Sequence, residues 1–535
     1  VSRKRSSAGF GVDPPSLLWS GTARTEDPGP RTGTPSEKTP MTTTDETGST
    51  GSTVLEEAVT STDPTVLAKV WGFGGMTSVL LGAVAGLLVG FERLDLTSAD
   101  LLGSADEVFQ FWSAHRVTLV LLGVLPALMA LATTVVPRQC GANTLVFPRA
   151  AALACWTWLV GAVLTVVGFL ADGGLGTPGA GGQRQATALT LMGLLLAIAG
   201  LLLATVCVVT TIISGRSTGT GLRDLPFTSW TTLVSATIWG SMLPVLAANT
   251  VLAYVDLQGR PAVRFGAEDA IWEQLSWMFT HPAVYVLALP VLGIALDVLS
   301  ATTGTTQANR DVLLVATAAF GFLSFGAYAQ SFFDTPGTPV MEEALYVVMA
   351  FAIVPVALAI LGGVADTLRR GASNLGTRPP AEVVCALLSV LLIVAGTAVG
   401  ALRVIAPLDL LGTSVTGAQF TLVVGGAVLG VGAGFQHWGD DLVGGPGARP
   451  GLNLLGGLAV AGGVVLVGAT DLISGLLGQS DFTGVDLATA GYPGSGVDGL
   501  NLVSMVGSLA LVGGLVAWQA SGILHLTAAK KAGSA

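Results

Sequence analysis

Residues 274–300 read "QLSWMFTHPAVYVLALPVLGIALDVLS", an apolar stretch that carries His281 and Tyr285 four residues apart. On a helix this spacing places both side chains on the same face, one turn apart. The next ionisable side chain along the stretch is Asp297. Polar groups are costly at membrane depth, so we expect this pair to face a protein interior or a cofactor.

The composition of the whole chain agrees with this apolar stretch. Of its 535 residues, 51% are hydrophobic and only 11% are charged, and the mean hydropathy is +0.71. Soluble domains usually carry about 25% charged residues. The composition therefore predicts an all-α integral membrane protein whose main partner is the lipid bilayer. The net charge of −10 argues against nucleic acid as a partner. Four cysteines without CxxC spacing predict buried core residues.

Long apolar segments recur along the chain and predict twelve transmembrane helices. They lie near 66–91, 112–136, 148–171, 187–214, 227–255, 273–299, 311–333, 344–366, 380–402, 414–436, 452–477 and 500–526. The predicted domains are a disordered cytoplasmic N-terminal tail, a twelve-helix membrane domain and a short cytoplasmic tail, at residues 1–63, 64–527 and 528–535. Residues 1–63 contain no apolar signal-peptide core, and Met41 is an alternative start to Val1.

Positive charge predicts the orientation, because cytoplasmic loops are enriched in Lys and Arg. With the N-terminus inside, eleven basic residues fall on the cytoplasmic side: Arg138, Arg149, Arg216, Arg223, Arg310, Arg369, Arg370, Arg378, Arg449, Lys530 and Lys531. Six fall on the opposite side: Arg93, Arg116, Arg184, Arg260, Arg264 and Arg403. Both termini are therefore expected in the cytoplasm. Low lysine content with abundant Ala, Gly, Val and Arg indicates a GC-rich prokaryotic genome, so we expect the protein in the plasma membrane of a prokaryote.

Several segments resemble helices of the haem–copper oxidase subunit I family, the catalytic subunits of cytochrome c and quinol oxidases. "HPAVY" around His281 is similar to helix VI, and "GFLSFGAYAQSFFDTPG" (321–337) to helix VII. "SAHRVTLVLLGVLPALMALATTVVP" (113–137) is similar to helix II, and "GAQFTLVVGGAVLGVGAGFQHW" (417–438) to helix X. The segments follow the family's order and cover nearly everything after residue 64. The resemblance implies the twelve-helix arrangement of that subunit.

The resemblance also implies a haem and copper site that this chain has largely lost. His115 stands where helix II supplies an axial ligand to the low-spin haem. Helix X of the family reads Ala-His-Phe-His, and both histidines hold haems. Here Gln419 and Thr421 replace them. Residues i and i+2 point to opposite sides of a helix, so each replacement affects a different site.

This chain also departs from the family's pattern at the copper site. His281 matches the copper ligand of helix VI, and Tyr285 matches the tyrosine joined to it. The adjacent histidine pair of helix VII falls on Gln330 and Ser331. A copper site usually requires imidazole or thiolate ligands. We therefore expect no copper.

A count of histidines leads to the same expectation for haem. Two haems and one copper in this family use six histidine ligands, and the chain has four histidines in total: His115, His281, His437 and His525. We expect no cofactor, or at most one haem of b or a type on His115.

The remaining candidate residues have structural interpretations beside the functional ones. His115 is a haem ligand, or a relic whose ring bonds to a neighbouring carbonyl or to Thr421. His281 and Tyr285 retain a function, or form a hydrogen-bonded relic pair. A third set, Gln330, Ser331, Gln419 and Thr421, forms a neutral cluster in the vacated space, or lines a pore or solute site.

Three functions follow from these alternatives. The first is a non-catalytic accessory or structural subunit of a respiratory complex, paired with subunits resembling II and III of the oxidases. The family activity, reduction of O2 with proton pumping, is then absent from this chain. The second is a divergent haem-binding oxidase with one haem on His115. The third is a solute transporter or sensor that reuses the scaffold, against which the lack of repeats and of deep ionisable residues argues.

Overall fold

The computed structural model describes residues 56, 59–94, 101–102, 105–176, 182–259, 264–265, 271–280, 282–325, 340–447, 449–481 and 497–533. These residues belong to one compact unit that begins at Thr53. Most of the predicted N-terminal tail lies outside the described residues.

The described chain is built from helices, which we number α1 to α13. Their bounds are α1 Pro64–Glu92, α2 Ala105–Val117 with its continuation Thr118–Val124 and Leu125–Cys140, α3 Pro148–Leu170, α4 Gly182–Ser214, α5 Phe227–Leu257, α6 Ile271–Thr280, α7 Pro282–Thr303, α8 Arg310–Leu323, α9 Val340–Gly371, α10 Ala381–Arg403, α11 Val415–His437, α12 Pro450–Leu476 and α13 Asp498–Gly533. A short helical turn, Gly439–Val443, follows α11.

Eleven helices of the described residues are long and apolar enough to cross a membrane. Each coincides with one of the twelve predicted spans. The remaining span, predicted at 311–333, is described only as the 14-residue helix α8, and its second half lies outside the described residues. The last helix continues to Gly533, beyond the predicted end of its span.

Local sequence explains where several helices begin and end. Asp63 caps α1 by accepting a 2.8 Å hydrogen bond from the Thr65 backbone N–H, and Pro64 occupies the first helical position. The helix ending at Cys140 stops at Gly141, whose φ of 76° lies in the left-handed region that favours glycine. These local signals explain the start of α1 and the end of α2 without reference to neighbouring helices.

The α2 and α11 helices form the interior of the bundle. The membrane-crossing window of α2 is fully buried by other helices, and that of α11 is 89% buried. Within α2, residues Thr118–Val124 form a π-helical segment. Such segments widen a helix locally and are frequent at functional sites. This one begins two residues after Arg116.

Glycines allow α3 and α4 to pack with their backbones in contact. A Cβ at Gly161 would collide with the Ala197 backbone nitrogen, and one at Gly193 with the Thr165 backbone nitrogen. Helices in lipid associate through such small residues, because close backbone approach increases van der Waals contact. The α3–α4 pair therefore depends on residues that have no side chain.

Replacing Gly161 with valine should destabilise the bundle, since the new side chain forces the two helices apart. Overpacking of this kind costs about 1–3 kcal/mol. We expect a lower thermal unfolding midpoint for Gly161→Val in detergent. The control is Gly240→Val on α5, where an added Cβ meets no atom within 4 Å. Equal midpoints for the two variants would contradict the close approach.

Candidate functional site

The predicted site residues of α11 lie on two different sides of the helix. Gln419 points toward α7 and α10, where it contacts Tyr285 and Arg403. Thr421 lines a separate cleft that also contains His115. The helical rotation between residues i and i+2 explains this separation. We call the first region the Gln419 cluster (Tyr285, Arg403 and Gln419) and the second the His115 cleft.

The Gln419 cluster is a buried chain of two hydrogen bonds. The Arg403 guanidinium donates from Nη1 to Gln419 Oε1 at 2.7 Å, and Gln419 Nε2 donates to the Tyr285 hydroxyl at 2.6 Å. The three side chains are only 1–6% exposed. Hydrogen bonds that involve a charged group are the stronger ones, so the Arg403 bond fixes the amide orientation.

The Gln419 cluster is closely packed and leaves little empty space around it. A Cβ at Gly400 would collide with both Gln419 Nε2 and the Tyr285 hydroxyl oxygen, so α10 packs directly on the hydrogen-bonded pair. The cavity beside Tyr285 and Gln419 measures about 20 Å³. On a comparable measure one water needs roughly 10–15 Å³. The part of this cavity that the described residues line has room for about one water molecule.

The Gln419 cluster does not fit a haem iron. A carboxamide stands at the position of the family's imidazole, and its oxygen and nitrogen are both engaged by Arg403 and Tyr285. The copper positions His281, Gln330 and Ser331 lie outside the described residues, so the expected loss of copper stays a prediction. The expected neutral cluster of Gln330, Ser331, Gln419 and Thr421 needs two corrections, the first being that Thr421 lies in the separate His115 cleft. The second is that Gln419 pairs with the positive charge of Arg403, for which the sequence predicted only a place on the non-cytoplasmic side.

His115 lies at one wall of the second region, the His115 cleft. Its Nδ1 is 2.7 Å from the Gly82 carbonyl oxygen on α1. Because a carbonyl oxygen can only accept, Nδ1 carries the proton and donates this hydrogen bond. A Cβ at Gly86 would collide with the imidazole, which makes that glycine necessary for the ring's position. The ring also packs at a tilt against Phe420, with centroids 5.9 Å apart.

The cleft itself is a cavity of about 120 Å³ between α1, α2, α11, α12 and α13. Its walls are mainly apolar, with aliphatic side chains contributed by several helices: Val79, Ala83, Val424, Val428, Val464 and Leu511. Thr421 of α11 also lines it. An apolar engineered cavity of about 150 Å³ holds benzene in another protein, so the cleft is large enough for a small ring.

Charged residues form the polar end of the cleft, and they are paired. Arg93 Nη1 lies 2.9 Å from Asp471 Oδ1, and Arg116 Nη2 lies 2.8 Å from Asp481 Oδ2. The Arg116 side chain is 3% exposed and stacks over the ring of Phe420 at 4.8 Å. Two arginines and two aspartates leave this end without net charge.

The cleft does not fit the haem with two imidazole ligands that the family implies. His115 offers one imidazole, but Thr421 supplies only a hydroxyl on the α11 side. Asp471 and Asp481 already neutralise both arginines, so two haem carboxylates would add uncompensated negative charge to a buried site. Sequence reasoning missed Arg116, Asp471 and Asp481, whose only sequence signal is a charge inside or beside an apolar segment.

Replacing Gln419 with leucine should destabilise the protein, because the Arg403 Nη1 and the Tyr285 hydroxyl both lose their partner. Leaving buried polar groups unsatisfied costs about 1–3 kcal/mol. The matched control is Gln419→Glu, which keeps an acceptor for Arg403 and can accept from the Tyr285 hydroxyl. Thermal unfolding in detergent should give a lower midpoint for the leucine variant alone; equal midpoints would refute the role of Gln419.

Comparisons with known proteins agree with this fold. The profile of the family described as "Cytochrome C and Quinol oxidase polypeptide I" matches residues 66–510. A probable cytochrome c oxidase subunit 1-beta of Nocardia farcinica is 28% identical over 52% of this chain and 50% of its own length. A putative subunit 1-beta of Streptomyces coelicolor is 28% identical over 71% of this chain and 67% of its length.

The matched region spans 50% of the length of the Nocardia protein and 67% of the length of the Streptomyces protein. A heme-copper terminal oxidase dimer solved by cryo-electron microscopy superposes with a TM-score of 0.69 at 16% identity, covering 86% of this chain and 83% of that one. At this identity the superposition concerns the fold. The family profile, however, covers well over half of the sequence, and the chain therefore belongs to the cytochrome c and quinol oxidase polypeptide I family.

Proposed function

We propose that this chain is a non-catalytic subunit of a respiratory oxidase complex. The observation that carries the proposal is the Gln419 cluster, in which Gln419 binds Arg403 and Tyr285 and leaves a cavity of about 20 Å³. Oxygen reduction in this family requires a haem at that position. A cavity of this size among the described residues supports the absence of a haem there.

The second support is the small number of possible haem-iron ligands that remain. In the His115 cleft one imidazole faces a threonine, and the arginines of the cleft are paired within the chain. Electron transfer between two haems needs both sites. With neither donor set complete, the twelve-helix scaffold is proposed to serve assembly with other membrane subunits, of the kind that accompany subunit I in the oxidases.

Metal content and optical spectra test the proposal directly. The full chain purified from its own membranes should contain iron and copper well below one atom per chain, and it should lack a reduced-minus-oxidised haem band. It should also consume no oxygen with reduced cytochrome c or quinol. A relative with the complete ligand set, purified in the same way, is the positive control. Stoichiometric haem with copper, or oxygen consumption above the background, would overturn the proposal.

We also propose that the protein lies in a prokaryotic plasma membrane with both termini in the cytoplasm. The described cysteines are all buried and free, so introduced cysteines can report topology with little background. Ser373→Cys, in the exposed loop after α9, should react with a membrane-impermeant maleimide only after lysis. Ala406→Cys, in the exposed loop after α10, should react in intact cells. The reverse pattern would refute the orientation.

A further inference from the structure

The His115 cleft contains hydrogen-bond donors that nothing in the described chain satisfies. The Nε and Nη1 atoms of Arg116 are buried and have no acceptor among the described residues, although Nη2 is bound to Asp481. Buried donors without an acceptor are rare in folded proteins, because each costs the free energy of its lost hydration. Since Arg116 lines the cavity, these donors point to an acceptor inside it.

The charge of the cleft restricts that acceptor. Arg116 and Arg93 are each neutralised by an aspartate of the same chain, at 2.8 and 2.9 Å. An anion placed there would lie beside both Asp471 and Asp481 without a free positive charge to offset it. The acceptor is therefore an uncharged oxygen atom, such as that of a carbonyl group.

The walls of the cleft restrict the rest of the ligand. They are mainly apolar, with valine and leucine side chains from α1, α11, α12 and α13, and the volume of about 120 Å³ far exceeds the space of one water. Apolar walls with a few convergent polar groups are typical of sites for small molecules. A ligand with an apolar body and one polar end matches both features.

We propose that the His115 cleft binds one uncharged, apolar molecule through a carbonyl oxygen that accepts hydrogen bonds from Arg116. Two sources supply this chemistry in a membrane: the ring of a quinone and the ester of a neutral lipid. The proposal rests on the part of the proposed function that leaves the His115 cleft without a haem. It does not depend on the Gln419 cluster, and a bound probe is read by its mass, separately from haem content and oxygen consumption.

Native mass spectrometry of the full chain in detergent tests this proposal with two probes, 2-methyl-1,4-naphthoquinone and dioleoylglycerol. We expect one probe molecule per chain for at least one of them, and their masses distinguish the two sources. Arg116→Lys keeps a positive charge opposite Asp481 but removes the planar set of donors, so binding should weaken about tenfold or more. Val467→Phe fills the cleft from α12 and should also abolish the adduct.

The matched control is Val465→Phe, which adds the same ring two residues away on the exposed surface of α12, where the native valine is 48% exposed. It should bind the probe like the original chain, and thermal unfolding should show that all variants are folded. Absence of a one-to-one adduct with either probe would overturn the proposal. Binding by Arg116→Lys or Val467→Phe that is as strong as binding by the original chain would also overturn it. A haem bound in the cleft through His115 would do the same.

Discussion

Buried arginine is the constraint on which the interior of this bundle depends. A charge held inside a lipid-embedded protein is costly unless it is paired or hydrogen-bonded. Arg403 obtains the Gln419 amide oxygen, while Arg93 and Arg116 obtain the carboxylates of Asp471 and Asp481. The two aspartates lie 378 and 365 residues from their arginines, whereas Gln419 lies 16 residues from Arg403 on the next helix. The Arg403–Gln419 contact therefore fixes α10 relative to α11, and the Arg116–Asp481 contact fixes the loop after α12 relative to α2.

The two sides of α11 respond differently to the loss of an imidazole. At Gln419 the replacing side chain is long and has a donor and an acceptor, so it reaches both Tyr285 and Arg403 and closes the space. At Thr421 the replacing side chain is short, and a cavity of about 120 Å³ remains beside it. The size and the hydrogen-bonding capacity of the new side chain decide which space is filled.

Helix packing explains why the family fold persists with an altered ligand set. The α3 and α4 helices approach through Gly161 and Gly193, and α10 reaches the Gln419 cluster through Gly400. These contacts depend on the absence of a side chain and involve no cofactor. The π-helical segment Thr118–Val124 likewise lies entirely within buried protein.

The sequence alone determined the membrane class, the positions of the spans and the family. The first span, predicted at 66–91, is the helix Pro64–Glu92, because an apolar segment bounded by a capping aspartate and proline must form its backbone hydrogen bonds internally in lipid. The sequence also identified Gln419 and Thr421 as replaced ligands. It could not assign Arg403 to Gln419, or Arg116 to Asp481, which lies 365 residues away. Only the tertiary structure decided those partners. The acceptor of a buried charge depends on which segments are neighbours in the folded protein, and the local sequence around each arginine does not specify those neighbours.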